Sequence, residues 1–159
     1  MTARMSNRLR KVSMSTVELS FSALPAHVRT ARLVAAAVAR RSGVDEAVLD
    51  EVRLAVGEAC SRAVHLHRRH CPDRPVTVTL TDEPDAFRVD VSDEAPNDEG
   101  ADDLGLDDLA RSSDLDLDLV PPGVGLAVIS GLVDDVSVDE GTAADGNGLT
   151  VHMSWPTSR

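Results

Sequence analysis

Apolar and polar residues alternate along several stretches of the chain, and in others they recur at helical spacing. Residues 16–22 set Val17, Leu19 and Phe21 against Glu18 and Ser20, the two-residue period of a half-buried strand. Pro25 follows where the first turn of a helix tolerates it. Residues 26–42 then repeat Val28, Ala31, Ala35 and Val38 at helical spacing. Gly43 is a natural stop, with Arg40 and Arg41 just before it, where cations suit the carbonyl end of a helix. Asp45 can cap a second helix running to about residue 67, with Val48, Val52, Ala55, Val56, Ala59 and Ala63 as its buried stripe. Cys71-Pro72-Asp73 breaks the pattern. Residues 75–81 and 86–92 alternate around Val76, Val78, Leu80 and Phe87, Val89, Val91. With the Pro84 turn between them they predict a hairpin. Residues 123–132, GVGLAVISGL, read as a short apolar helix opened by glycines. Val136 and Val138 begin another strand, and Leu149, Val151, Met153 and Trp155 alternate in the last one, after a turn-rich loop at 141–148.

This order predicts an α+β fold: a two-layer sandwich with one mixed, mostly antiparallel sheet covered by helices on one face. Residues 16–156 are expected to form a single domain. A polar, basic segment at 1–15 (Arg4, Arg8, Arg10, Lys11) precedes it and is expected to be disordered. Aromatic side chains are limited to Phe21, Phe87 and Trp155, so Ala, Val and Leu must build the core.

Charge refines the picture. The 159 residues carry a formal net charge of −11. Residues 93–119 alone hold eleven acids and one base, Arg111, for a net −10, so the rest of the chain is nearly neutral at −1. The expectation is a near-neutral domain with an acidic loop at 93–122. Near residues 114–119 Leu and Asp alternate, but repulsion between the acids opposes a strand there. A general nucleic-acid binder would want a basic face, which this balance lacks. No apolar run approaches the ~20 residues that span a bilayer. The first residues lack the apolar core of a secretory leader. A cytoplasmic protein with free thiols at Cys60 and Cys71 is therefore expected.

Three motifs carry candidate chemistry. In residues 50–64, DEVRLAVGEACSRAV, Glu58 stands four residues before Arg62, on one helix face. Val91-Ser92-Asp93 ends the hairpin. Gly123-Val124-Gly125-Leu126 opens the next helix, where backbone N–H groups and the positive helix end can hold phosphate, although glycines also simply permit turns. Together and in this order they resemble the GHKL-type ATPase fold. The likeness is specifically to the RsbW-like anti-sigma-factor serine kinases, of actinobacterial type, and it covers roughly residues 16–155.

The resemblance implies roles. Glu58 would be the general base for a serine hydroxyl. The position of Arg62, an Asn in the family, would help hold Mg²⁺ beside the phosphates of ATP. Asp93 would read the adenine amino group, with Thr150 near the same ring. Gly123, Gly125 and Leu126 would form the phosphate box. The partners implied are a STAS-fold anti-anti-sigma factor and a sigma factor, bound by partner switching, with no direct nucleic acid and no membrane. A homodimer is also implied, with the first strand and its helix as the place to look for the interface.

The departures bear on catalysis. Arg62 has no acceptor atom and cannot ligate Mg²⁺, which wants oxygen ligands. Phosphoryl transfer depends on that metal to neutralise developing charge. Arg62 could instead hold phosphate directly, or pair with Glu58 across one turn. Ala95 stands where the family has the glycine of its Asp-x-Gly box. The acidic loop sits at the lid position, where like charges repel a triphosphate within the screening length. The expected function is therefore a binding regulator with ATP binding and kinase activity weakened or lost. The alternative is an active ATP-dependent serine kinase acting on the STAS antagonist. The acidic loop reads either as a surface for a basic partner or as a solubilising segment.

Two further features have plainer accounts. His65, His67, His70 and Cys71 offer zinc-ligand types in one short run, but His and Arg also suit the end of a helix. Cys60, beside Ala59 and Ala63, reads as a small core residue. Ser61 has no His or Asp at triad spacing and carries no nucleophile reading.

Overall fold

The computed structural model describes residues 14–96, 129, 131 and 133–158. In chain order the elements are β1 (Ser15–Phe21), α1 (Pro25–Ser42), a 3₁₀ turn (Glu46–Val48), α2 (Leu49–His70), β2 (Val76–Asp82), β3 (Ala86–Asp93), β4 (Asp135–Glu140) and β5 (Leu149–Pro156). The strands form one five-stranded sheet in the order β1-β2-β3-β5-β4. The α+β sandwich expected from the patterning is what the structure shows, with one adjustment. All four pairings are antiparallel, so the sheet is not mixed among the described residues.

Local chemistry accounts for the element ends. Pro25 sits in the first turn of α1, and Gly43 ends the helix in the left-handed region, at φ 96°. The N–H groups of Gly43 and Val44 donate back to Arg40 O (3.2 Å) and Ala39 O (3.1 Å), closing off orphan carbonyls. The predicted 45–67 helix is divided. The Asp45 carboxylate accepts from Ala47 N at 2.9 Å and so caps the short 3₁₀ turn, and α2 begins only at Leu49. α2 also runs three residues further than expected, to His70, with Arg68 and Arg69 in its last turn, cations that suit a carbonyl end.

Pairing register places the core. Val17, Leu80, Val89, Met153 and Val136 form one cross-strand row, and Leu19, Val78, Val91, Val151 and Val138 the next. The helices lie over the centre of this face, where Ala31, Ala35 and Ala39 of α1 and Val52, Val56, Ala59 and Ala63 of α2 are buried. Small side chains there let the two helices come close to each other. Phe87 stacks on Trp155 with centroids 6.3 Å apart, a contact worth ~0.5–1.5 kcal/mol beyond its buried area. At the sheet edge, β1 is less covered than a half-buried strand: Val17 stays 40 % exposed.

The opposite sheet face is polar. Its central row is Glu18, Thr79, Asp90, His152 and Ser137. His152 bridges Asp90 of β3 and Asp139 of β4 through its two ring nitrogens, at 2.5 and 2.8 Å. The predicted basic segment at 1–15, apart from its last two residues, the greater part of the acidic loop at 93–122 and the glycine box at Gly123, Gly125 and Leu126 lie outside the described residues. At the far end of the predicted 123–132 helix, Ile129 and Gly131 have helical backbone, and Val133 N donates to Ile129 O at 3.1 Å.

Candidate functional site

α2 and the end of β3 bring the predicted site residues together, but with different partners from those expected. Arg62 Nη1 donates to Asp93 Oδ2 at 3.0 Å. Asp93 Oδ1 accepts from the N–H of Ala95 at 3.1 Å. Asp93 is only 4 % exposed and the Arg62 side chain 19 %. A carboxylate taken this far out of water needs a cation or strong donors close by, and Arg62 and Ala95 supply both. Arg62 thus turns away from Glu58. The one-turn pair on α2 does not form, because the buried carboxylate on β3 is the stronger claim on the guanidinium.

Glu58 is left in a different state. It is 6 % exposed, and its Oε2 is buried with no hydrogen-bond partner. Burial pushes its carboxyl above the ordinary carboxylate range, and the charge of Arg32 on α1 draws it partly back. Arg32 therefore belongs to this neighbourhood, and sequence reasoning missed it. The signal was Gly57. A Cβ at that position would meet the Arg32 side chain at 2.8 Å, so the glycine leaves the gap in which Arg32 lies across α2.

Thr150 on β5 is in register with Ser92, the residue before Asp93. Its hydroxyl donates to Thr142 Oγ1 at 3.0 Å and accepts from Ser92 Oγ at 2.8 Å. Asp93 and Thr150, the two residues assigned to a purine ring, are thus neighbours, and both already have internal partners.

Two more residues fix the segment beyond Asp93. His67 is fully buried. Its Nδ1 donates to Arg74 O at 2.8 Å and its Nε2 accepts from Glu94 N at 2.9 Å. It ties the end of α2 to the chain leaving β3. The signal here was spacing, since His67 continues the stripe of Val56, Cys60 and Ala63. Gly148, at φ +83°, donates to Ala95 O at 2.8 Å. A Cβ there would stand 2.2 Å from Asp93 O, so only glycine permits so close an approach. Ala95, in place of the family glycine, is buried under this contact.

The chemistry of these residues does not fit a magnesium ion at Arg62, which is a permanent cation without a lone pair to donate. Zinc fares no better on the His65, His67, His70 and Cys71 run, since both ring nitrogens of His67 are engaged. No group of three or more His, Cys, Asp or Glu able to hold a metal occurs among the described residues. Both cysteines are free. Cys60 is wholly buried, and burial pushes its thiol up to about 12, so it stays protonated as a core side chain. No helix among the described residues is long and apolar enough to cross a membrane.

A family model described as "Histidine kinase-like ATPase domain" matches residues 21–155. No curated protein matches the chain.

Proposed function

The chain belongs to the histidine kinase-like ATPase domain family, and from that premise we propose that it is a binding regulator of the anti-sigma-factor type. In this reading it acts by partner switching, holding a STAS-fold anti-anti-sigma factor, a sigma factor, or each in turn. Its ATP site is weakened and its kinase activity reduced or lost. The observation that carries the reading is the Arg62–Asp93 bridge, at 3.0 Å and largely buried. It puts a fixed cation where the resemblance calls for a metal ligand, and it engages the carboxylate that would read adenine. To bind, a nucleotide must displace an ion pair from a partly desolvated site, and breaking one side of such a pair is expensive.

The same reading places the work in the cytoplasm, which suits two free thiols. It also carries a homodimer through β1 and α1. Support for that comes from Met14, Val17, Leu24 and Leu33, four exposed large apolar residues on or next to β1 and α1, and from β1 being an edge strand of the sheet among the described residues.

The test is incubation of the full chain with Mg-ATP and a candidate STAS protein, following both complex formation and serine phosphorylation. The reading expects a complex with little or no phosphate transfer. Rapid phosphorylation that disappears in Glu58→Ala would establish the second reading, an active serine kinase. One observation favours that alternative: Glu58 is a buried carboxyl with an unpartnered oxygen and a raised proton affinity, properties that suit a general base.

A further inference from the structure

Glu58 is buried on α2, beside the apolar core. From the strands packed under α2, the side chains on the core face include Val76, Val78 and Leu80 of β2 and Val89 and Val91 of β3. The charged residues on that face of those strands are Asp93, which Arg62 engages, and Asp82 at the opposite end of β2. On α2 itself Arg62 is thereby directed away from Glu58. The cation that acts on Glu58 comes from α1, and it is Arg32. Its position depends on a specific absence. A Cβ on residue 57 would meet Arg32 Cδ at 2.8 Å, Nε at 3.1 Å and Cγ at 3.2 Å. A glycine in the middle of a long helix is less favourable than alanine, so the gap at this point has a local cost.

The geometry points to Arg32 as a positioning residue that lies in the gap at Gly57 and favours the ionised, proton-accepting form of the buried Glu58 carboxyl. This rests on the reading of Glu58 as the acidic residue of the family motif on α2, but it needs no nucleotide and no partner. A buried carboxylate without a nearby cation takes up a proton and becomes a donor. With Arg32 alongside, Glu58 keeps an acceptor oxygen, the buried and unpartnered Oε2. Two arginines, one from each α-helix, would then serve two buried carboxyl groups, Arg62 for Asp93 and Arg32 for Glu58.

The test is a ¹³C NMR titration of the Glu58 side-chain carboxyl in the full chain, with Glu58→Gln to assign the resonance. Arg32→Met is expected to make Glu58 bind its proton severalfold more tightly, moving the midpoint to higher pH. Arg32→Lys, which keeps the charge, is expected to restore most of the wild-type midpoint. Gly57→Ala provides a variant that keeps Arg32 and favours the helix. It is expected to raise the midpoint by pushing the arginine aside, whereas a merely structural glycine would yield a stabilised protein with an unchanged titration. An unchanged midpoint in Arg32→Met, or in Gly57→Ala should the methionine variant not fold, would overturn the inference. The result is independent of the regulatory reading, which stands or falls on nucleotide and partner binding.

Discussion

Asp93 and Glu58 are both acids, both almost wholly buried and both close to the same helix, yet they are treated in opposite ways. Asp93 has a guanidinium on one oxygen and a backbone N–H on the other. Glu58 has an oxygen with no partner and a cation that acts on it only through space. A carboxylate that is fully satisfied from within is a structural element, and any ligand must compete with the partners already there. A carboxylate left short of partners is a reservoir of reactivity. The contrast teaches that the half the resemblance assigns to adenine, at Asp93, is a strut, while the half it assigns to proton transfer, at Glu58, keeps its chemical potential.

The contrast can be broken most forcefully at Asp93. Asp93→Ala removes the counter-charge of a mostly buried arginine and the acceptor for Ala95 N–H. Urea unfolding is expected to show a loss of about 3 kcal/mol, at the lower end for breaking one side of a buried pair because Arg62 keeps some access to water. Next is Gly148→Ala, which places a methyl group against the Asp93 carbonyl in a left-handed conformation. A loss of about 2 kcal/mol is expected, with Ala95 and Asp93 the first amides to lose hydrogen-exchange protection.

The smallest effect should come from Glu58→Gln, and it is one of slope. Burial raises the folded-state value of Glu58 above its ordinary 4.5. The native protein therefore keeps a proton that the unfolded chain gives up. The stability this group contributes is complete below about pH 4.5 and is lost as pH rises through the folded value. Wild-type stability should thus decline with pH across that window relative to Glu58→Gln, and the two curves should converge in acid.

Much of the scaffold was legible in the sequence. The alternation of Val76, Val78, Leu80 and of Phe87, Val89, Val91 marks two strands because both are buried on one face only. Pro25 and Gly43 bracket α1 because their backbone preferences match a helix start and a helix stop. Glu58, Arg62, Asp93 and Thr150 were all picked out, and the fold does gather Arg62, Asp93 and Thr150 at the β3 end. Their partners were not legible. The Arg62–Asp93 contact joins residues 31 apart, so a rule that looks one helical turn away pairs Arg62 with Glu58 instead. Arg32 was invisible because its relation to Glu58 runs between two helices through the gap at Gly57. His67 looked like a helix-end cation, and only the tertiary structure reveals it as a buried bridge whose nitrogens serve two backbone groups.

On the proposed reading, the Arg62–Asp93 bridge closes the family's nucleotide site. Isothermal titration of Mg-ATP into the wild-type chain and into Arg62→Asn, a substitution that restores the family residue and releases Asp93, tests it most directly. The bridge predicts weak or undetectable binding by the wild type and at least about tenfold tighter binding by Arg62→Asn, a gain of about 1.4 kcal/mol. Wild-type affinity equal to or greater than that of Arg62→Asn, with both proteins folded, would contradict it.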